Sequence, residues 1–163
     1  HGVDGHFPNW DDWELHMTST FPEVRIKRTI EVRGADCVSH DLALAFCALF
    51  TGLFYDDTAL SQGLELAEEV IQYGSRNERF DIACRDGIQG SFKQGAQSIS
   101  IQKLAERMVA IGQDGLSRYQ PHNQYLLDPL MKQVQTGCSP SHNLLQFWHY
   151  DSSPENIIQR LTY

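Results

Sequence analysis

The sequence predicts an α+β fold, with a strand-bearing portion over residues 1–38 and a predominantly helical layer over 39–163, forming a single domain. Three features carry this expectation. Glu23–Asp36 alternates apolar and charged residues with a period of two, Leu42–Phe54 is apolar almost throughout, and later apolar positions recur at helical spacing between capping signals. A length of 163 residues with 41% hydrophobic content suits one domain with its own core.

Residues 1–9 contain Gly and Pro and predict an irregular leading loop. His1 and His6 have no further ligand types beside them, so they are expected to be ordinary surface residues rather than a metal site. Trp10–Thr20 predicts a short helix with Trp13, Met17 and Phe21 on its apolar side, delivering the chain to a strand after Pro22. In that strand Val24, Ile26, Ile30 and Val32 share one face, and Glu23, Arg25, Lys27, Thr29, Glu31 and Arg33 share the other. Arg28 breaks the alternation, which predicts a bend or bulge near Arg28 and Thr29; Gly34 closes the strand and Asp36 the turn after it.

From Ser39 or His40 to Phe54 almost no polar face remains, predicting a buried helix that packs behind the sheet and fixes the charged strand. Asp57 is expected to cap the next helix, with Leu60, Leu64, Ala67 and Ile71 at helical spacing and Gly74 at its end. Ser75 and Glu78 predict a capping box for a helix through Arg85, stopped at Gly87. Arg79 and Arg85 lie about 600° apart around an ideal helix and share no face. Arg85 alone is kept as a phosphate candidate, with interdomain salt bridging as its ordinary alternative. Residues 86–100, rich in Gly, Gln and Ser, predict a loop at a pocket rim that lacks the Gly-Lys-Ser/Thr ending of a P-loop. Ile101–Tyr119 predicts a helix with Leu104, Met108 and Ile111 inward, its second half weakened by Gly112 and Gly115. Asp128-Pro129, Ser139-Pro140 and Ser153-Pro154 predict the starts of three short helices.

A formal charge of -8 lacks the broad basic footprint of a general nucleic-acid surface. The longest apolar run, Leu42–Phe54, falls short of the ~18–20 residues that span a bilayer. The expectation is a soluble, cytoplasmic protein with no nucleic-acid or membrane partner. Cys37, Cys47, Cys84 and Cys138 form no CxxC pair and are expected as reduced, structural thiols. His1 in place of an initiating Met suggests an excised, partly represented or processed protein.

The charged strand face admits two readings. It is either a solvated surface with weak same-face pairing, or a site for a metal-bound polyphosphate in which Arg and Lys hold phosphate oxygens and Glu a hard divalent cation. Composition does not choose between them. The stretch Asp12–Asp36, DWELHMTSTFPEVRIKRTIEVRGAD, combines a Trp-Glu-x-His segment, a Phe-Pro-Glu-Val-Arg-x-Lys-Arg run and an Ile-Glu-Val-Arg-Gly-Ala-Asp tail. In that order and spacing it resembles the signature of the bacterial and plant type of glutamate–cysteine ligase, in the glutamine-synthetase-like superfamily. Weaker similarity continues through Leu42–Tyr55, Arg85-Asp86-Gly87 and Ser139-Pro140, as in the C-terminal part of a longer enzyme.

The resemblance implies that the strand belongs to a glutamine-synthetase-like antiparallel sheet, completed by a missing N-terminal part of the ligase or by edges from another copy in a homo-oligomer. It implies ATP-dependent joining of the glutamate γ-carboxylate to the cysteine amine through an acyl phosphate, the first step of glutathione synthesis, with ATP and Mg2+ required. Mapped onto matching positions, Glu31 is the magnesium ligand, Arg33 and Lys27 are catalytic, and Arg25, Lys27, Arg28 and Arg33 bind ATP phosphates or substrate. Arg28 needs a bulge to join them. Glu23 is a second ligand or, by preference, an ion-pair partner, while Glu14 and His16 lie beside the site. Thr29 and Cys37-Val38-Ser39 depart from the family pattern and leave open a sister ligase with another amine acceptor. A catalytically silent structural or docking domain is the alternative of a different class, since one Glu cannot complete a magnesium site.

Overall fold

A computed structural model describes residues 2–26, 28–150 and 153–161, with backbone alone at 149 and 150. The chain is α+β and mostly helical, and divides into two compact units, His1–Cys37 and Val38–Tyr163.

In the first unit, helix α1 (Trp10–Ser19) begins where a short polar residue can cap it. The Asn9 side chain accepts from the Asp11 and Asp12 amides, and the Asp12 carboxylate accepts from the Asn9 amide in return. No residue of α1 is buried, so Trp13 and Met17 form no covered apolar side here. The charged segment is not one bent strand but a hairpin, β1 (Val24–Ile26) against β2 (Ile30–Val32), with Val24 opposite Val32, Arg25 opposite Glu31 and Ile26 opposite Ile30. Opposed residues are separated by even numbers of positions, so folding the strand back leaves every side chain on the face that simple alternation assigns. The irregularity at Arg28 and Thr29 is the turn itself.

The second unit contains α2 (His40–Phe54), α3 (Asp57–Val70), α4 (Arg76–Asp86), β3 (Ser91–Gln94), β4 (Gln97–Ser100), α5 (Ile101–Tyr119), α6 (Asp128–Thr136), α7 (Pro140–Tyr150) and α8 (Pro154–Leu161). Its main core joins Ala48, Leu49 and Leu53 of α2 to Val109 and Leu116 of α5, closed by Leu127 and Val134. The α2 helix is covered on one side only, as Leu44 and Phe54 are exposed. The glycines of α5 do not mark a weak half. They let the helices meet at backbone distance: a Cβ on Gly52 would overlap the Gly112 carbonyl, and one on Gly115 would overlap the Gly52 carbonyl.

Two local expectations are corrected. Asp56, not Asp57, caps α3, because its extended backbone lets its carboxylate accept from the Ala59 amide at 2.8 Å. Residues 86–100 are not a plain loop: after a 3-10 turn, Gly87–Gln89, they form the β3–β4 hairpin, with Phe92 opposite Ile99. Gly95 takes φ 57° in the two-residue connection, a conformation that Gly adopts without a Cβ penalty. The Ser75–Glu78 capping box and the three Pro-initiated helices form as predicted.

Candidate functional site

The site is built at the end of α1, where Thr18, Ser19 and Thr20 follow one another. Their hydroxyls donate back to the carbonyls of Leu15, His16 and Met17 at 2.6, 2.7 and 3.0 Å. These bonds close three carbonyls of the final turns. The next carbonyl, that of Thr18, instead accepts from Arg25 Nη1 at 3.2 Å. A guanidinium at a helix C-terminus is favoured by the partial negative charge there.

Arg25 also reaches across the hairpin, with Nε 2.8 Å and Nη2 2.7 Å from Glu31 Oε2. The other carboxylate oxygen, Oε1, accepts from Arg33 Nη1 at 3.4 Å. One carboxylate thus sits between two guanidiniums. Arg33 is fixed twice more: its amide donates to the Glu23 carbonyl at 2.8 Å, and its guanidinium carbon lies 5.0 Å from the centroid of the Phe21 ring.

Burial in this unit is unusual in kind. The Arg25 and Arg33 side chains retain only 16% and 21% of their exposure. By contrast, Val24, Ile26 and Ile30 on the opposite hairpin face are all exposed. A solvated charged face would leave the arginines open and hide the valines and isoleucines. Here the cations are partly desolvated and held by several acceptors within the unit.

The hairpin therefore brings Arg25, Glu31 and Arg33 together. Arg28 is exposed in the turn between the strands, off the ladder, so no bulge carries it to their face. Lys27 lies outside the described residues. Glu23 contributes a backbone carbonyl to the hairpin, Asp36 lies in irregular backbone, and Glu14 and His16 are exposed on α1, with the His16 ring 5.8 Å from that of Trp13. Arg85 lies in the second unit, where it forms a two-point pair with the adjacent Asp86 at 2.8 and 2.9 Å at the end of α4; the salt bridge is local to that helix end. Among the described residues no group of three or more His, Cys, Asp or Glu is placed to hold a metal ion. All four cysteines are free thiols.

The second unit carries an apolar groove of about 590 Å³ between α3 and α5, lined by residues such as Leu60, Leu66, Phe92, Leu104 and Met108. It presents no charged side chain and so no acid, base or phosphate ligand. Among the described residues no single helix is long and apolar enough to cross a membrane.

Reasoning from the sequence missed the Thr18 carbonyl and Phe21 as parts of the site. The available signal was the run of three hydroxyl residues before Phe21-Pro22, which marks a self-capped helix end immediately ahead of the charged hairpin.

Comparison with known proteins follows the same segment and extends beyond it. The family model described as glutamate-cysteine ligase family 2 matches residues 3–161. The chain is similar to the chloroplastic glutamate–cysteine ligases of Brassica juncea (31% identical, 99% of this chain, 31% of the relative), Arabidopsis thaliana (30%, 99% and 30%) and Medicago truncatula (29%, 99% and 31%). It thus spans about a third of the length of these curated relatives. The expected cytoplasmic location is overturned, since these relatives are all named chloroplastic.

Proposed function

We infer that this chain, which belongs to glutamate-cysteine ligase family 2, contributes the anion-binding hairpin of an ATP-dependent glutamate–cysteine ligase working in a plastid. The observation that carries this reading is the pair of partly buried guanidiniums, Arg25 and Arg33, fixed about one carboxylate. Joining a carboxylate to an amine requires activation of the carboxylate. In the proposed reaction a γ-carboxylate oxygen of glutamate attacks the terminal phosphorus of ATP, forming an acyl phosphate and releasing ADP. The cysteine amine then attacks the acyl carbon and phosphate leaves.

Both steps crowd negative oxygens together, so fixed cations that need not reorient lower the barrier. Arg33 and Arg25 are the residues proposed to meet the transferred phosphate. Arg28, exposed in the hairpin turn, is proposed to add longer-range positive charge, and Lys27, its neighbour in sequence, is proposed as a further catalytic cation. Anion binding requires only that phosphate oxygens replace Glu31 oxygens on the same guanidinium edges, an exchange between like acceptors.

The fit to magnesium is incomplete. Glu31 offers one carboxylate, already engaged by two arginines, whereas magnesium takes six oxygens and keeps several as water. Glu31 alone does not make a magnesium site, and its proposed role as a ligand depends on further carboxylates joining it.

The test is ADP formation by the longest native form of the protein, with glutamate, cysteine and magnesium omitted in turn. Dependence on all three supports the ligase reading. Glutamate dependence with another preferred amine moves the acceptor, and absence of turnover under every combination leaves the hairpin as a structural element.

A further inference from the structure

We propose that Phe21 is a positioning residue for Arg33, and that the end of α1 acts as the support from which both guanidiniums are aimed. This rests on the function proposed above and adds to it the element that holds the cations. Three relations on the same short segment point to it. The Thr18, Ser19 and Thr20 hydroxyls donate to the carbonyls of Leu15, His16 and Met17, and Arg25 donates to the carbonyl that follows, that of Thr18. Three residues later, after the helix has ended, the Phe21 ring lies 5.0 Å from the Arg33 guanidinium carbon. Pro22 restricts the backbone between that ring and the hairpin, and it is partly covered in a unit where most side chains are exposed.

The division of labour is physical. Glu31 binds both arginines, but its carboxylate is the group that an incoming anion must displace from them. Once Glu31 releases them, Arg25 still has a carbonyl acceptor and Arg33 still has an aromatic face. Neither the carbonyl nor the ring carries a net charge, so neither competes with phosphate oxygens for the guanidinium as a carboxylate does. A guanidinium held by a ring face rather than by a carboxylate keeps its N–H groups free of a competing anion.

The experiment compares Phe21→Leu and Phe21→Trp with the parent in the longest native form. It measures kinetics of ADP formation and, by NMR, rotation of the Arg33 guanidinium about its Nε–Cζ bond. Leu keeps apolar volume but has no ring face; Trp keeps the face. The expected result is a rise of about two- to fivefold in KM for ATP in Phe21→Leu, with faster Arg33 rotation, and recovery of both in Phe21→Trp. A purely structural role predicts the opposite order, with Leu tolerated and Trp tracking a fall in thermal stability, and that outcome overturns the proposal. Unchanged rotation in Phe21→Leu overturns it as well. Arg33→Ala is measured alongside. If that variant leaves nucleotide kinetics intact, the proposed function fails, while the rotation measurement still decides whether Phe21 holds Arg33.

Discussion

Arg25 and Glu31 stand directly opposite each other on the β1–β2 ladder, and the arginine grips one carboxylate oxygen through both Nε and Nη2, at 2.8 and 2.7 Å. The second oxygen of the same carboxylate is held by Arg33. Glu31 is therefore the tie between two cations that would otherwise repel across the hairpin.

Replacing Glu31 with Gln keeps the shape and removes the charge. In the longest native form, ADP formation is expected to fall about 10- to 100-fold, the range of one charge-assisted hydrogen bond, with little change in the unfolding midpoint. A magnesium titration of the same variant separates two roles. A shifted magnesium midpoint identifies Glu31 as a ligand, an unchanged midpoint with lowered KM for ATP identifies it as the acceptor that the incoming phosphate displaces from the arginines, and unaltered activity excludes both.

Arg25→Lys preserves charge but replaces a planar fork with a single ammonium, which does not span the Glu31 carboxylate and the Thr18 carbonyl in the same way. Turnover is expected to drop about tenfold, equivalent to ~1.4 kcal/mol. Steady-state kinetics check this; parental rates in the lysine variant would reduce Arg25 to a generic positive charge.

Gly115→Ala sets two rules against each other. Helix propensity alone predicts a gain of about 0.8–1 kcal/mol. A Cβ at this position, however, would run into the Gly52 carbonyl and the Ala59 methyl group, and a backbone oxygen does not rotate away. The expected net result is a loss of about 1–3 kcal/mol in denaturant unfolding. A gain would show that the α2–α5 crossing relaxes freely.

Asp56 accepts from Arg118 at 2.9 and 2.8 Å and from the Ala59 amide at 2.8 Å. The Arg118 hydrogen bonds, followed by the backbone amide, hold its carboxyl down at about 2, against an ordinary value of 3.8. The folded value lies below the unfolded one, so this contribution is complete above 3.8 and is lost as pH falls through about 2. Asp56→Asn retains the helix cap but not the ion pair. Unfolding midpoints measured from about pH 5 to about pH 2 should therefore fall less steeply in the variant. Parallel curves would remove Asp56 as an acid-sensitive contact.

Much of the local structure was legible. The helix starts at Ser75 and at the three Asp/Ser-Pro pairs are side-chain capping and proline signals, which act over three or four residues and need no tertiary context. The β3–β4 hairpin was hidden because Phe92 and Ile99 are isolated among polar residues, leaving Gly95 as its main mark. The cap of α3 slipped by one position because Asp56 and Asp57 are chemically equivalent and only backbone geometry separates them.

For the site, the sequence by itself determined which residues share the charged face, because side-chain alternation has a period of two and survives a fold-back between evenly separated partners. It also carried the family signature. Only the tertiary structure decided that the segment turns on itself, that Glu31 lies between Arg25 and Arg33, and that the Thr18 carbonyl and the Phe21 ring hold those arginines. The reason is that guanidinium contacts depend on where separate backbone segments converge, and periodicity along one segment carries no information about the distance to another. The glycines of α5 make the same point: in sequence they lower helix propensity, and in the fold they are what allows two helices to touch.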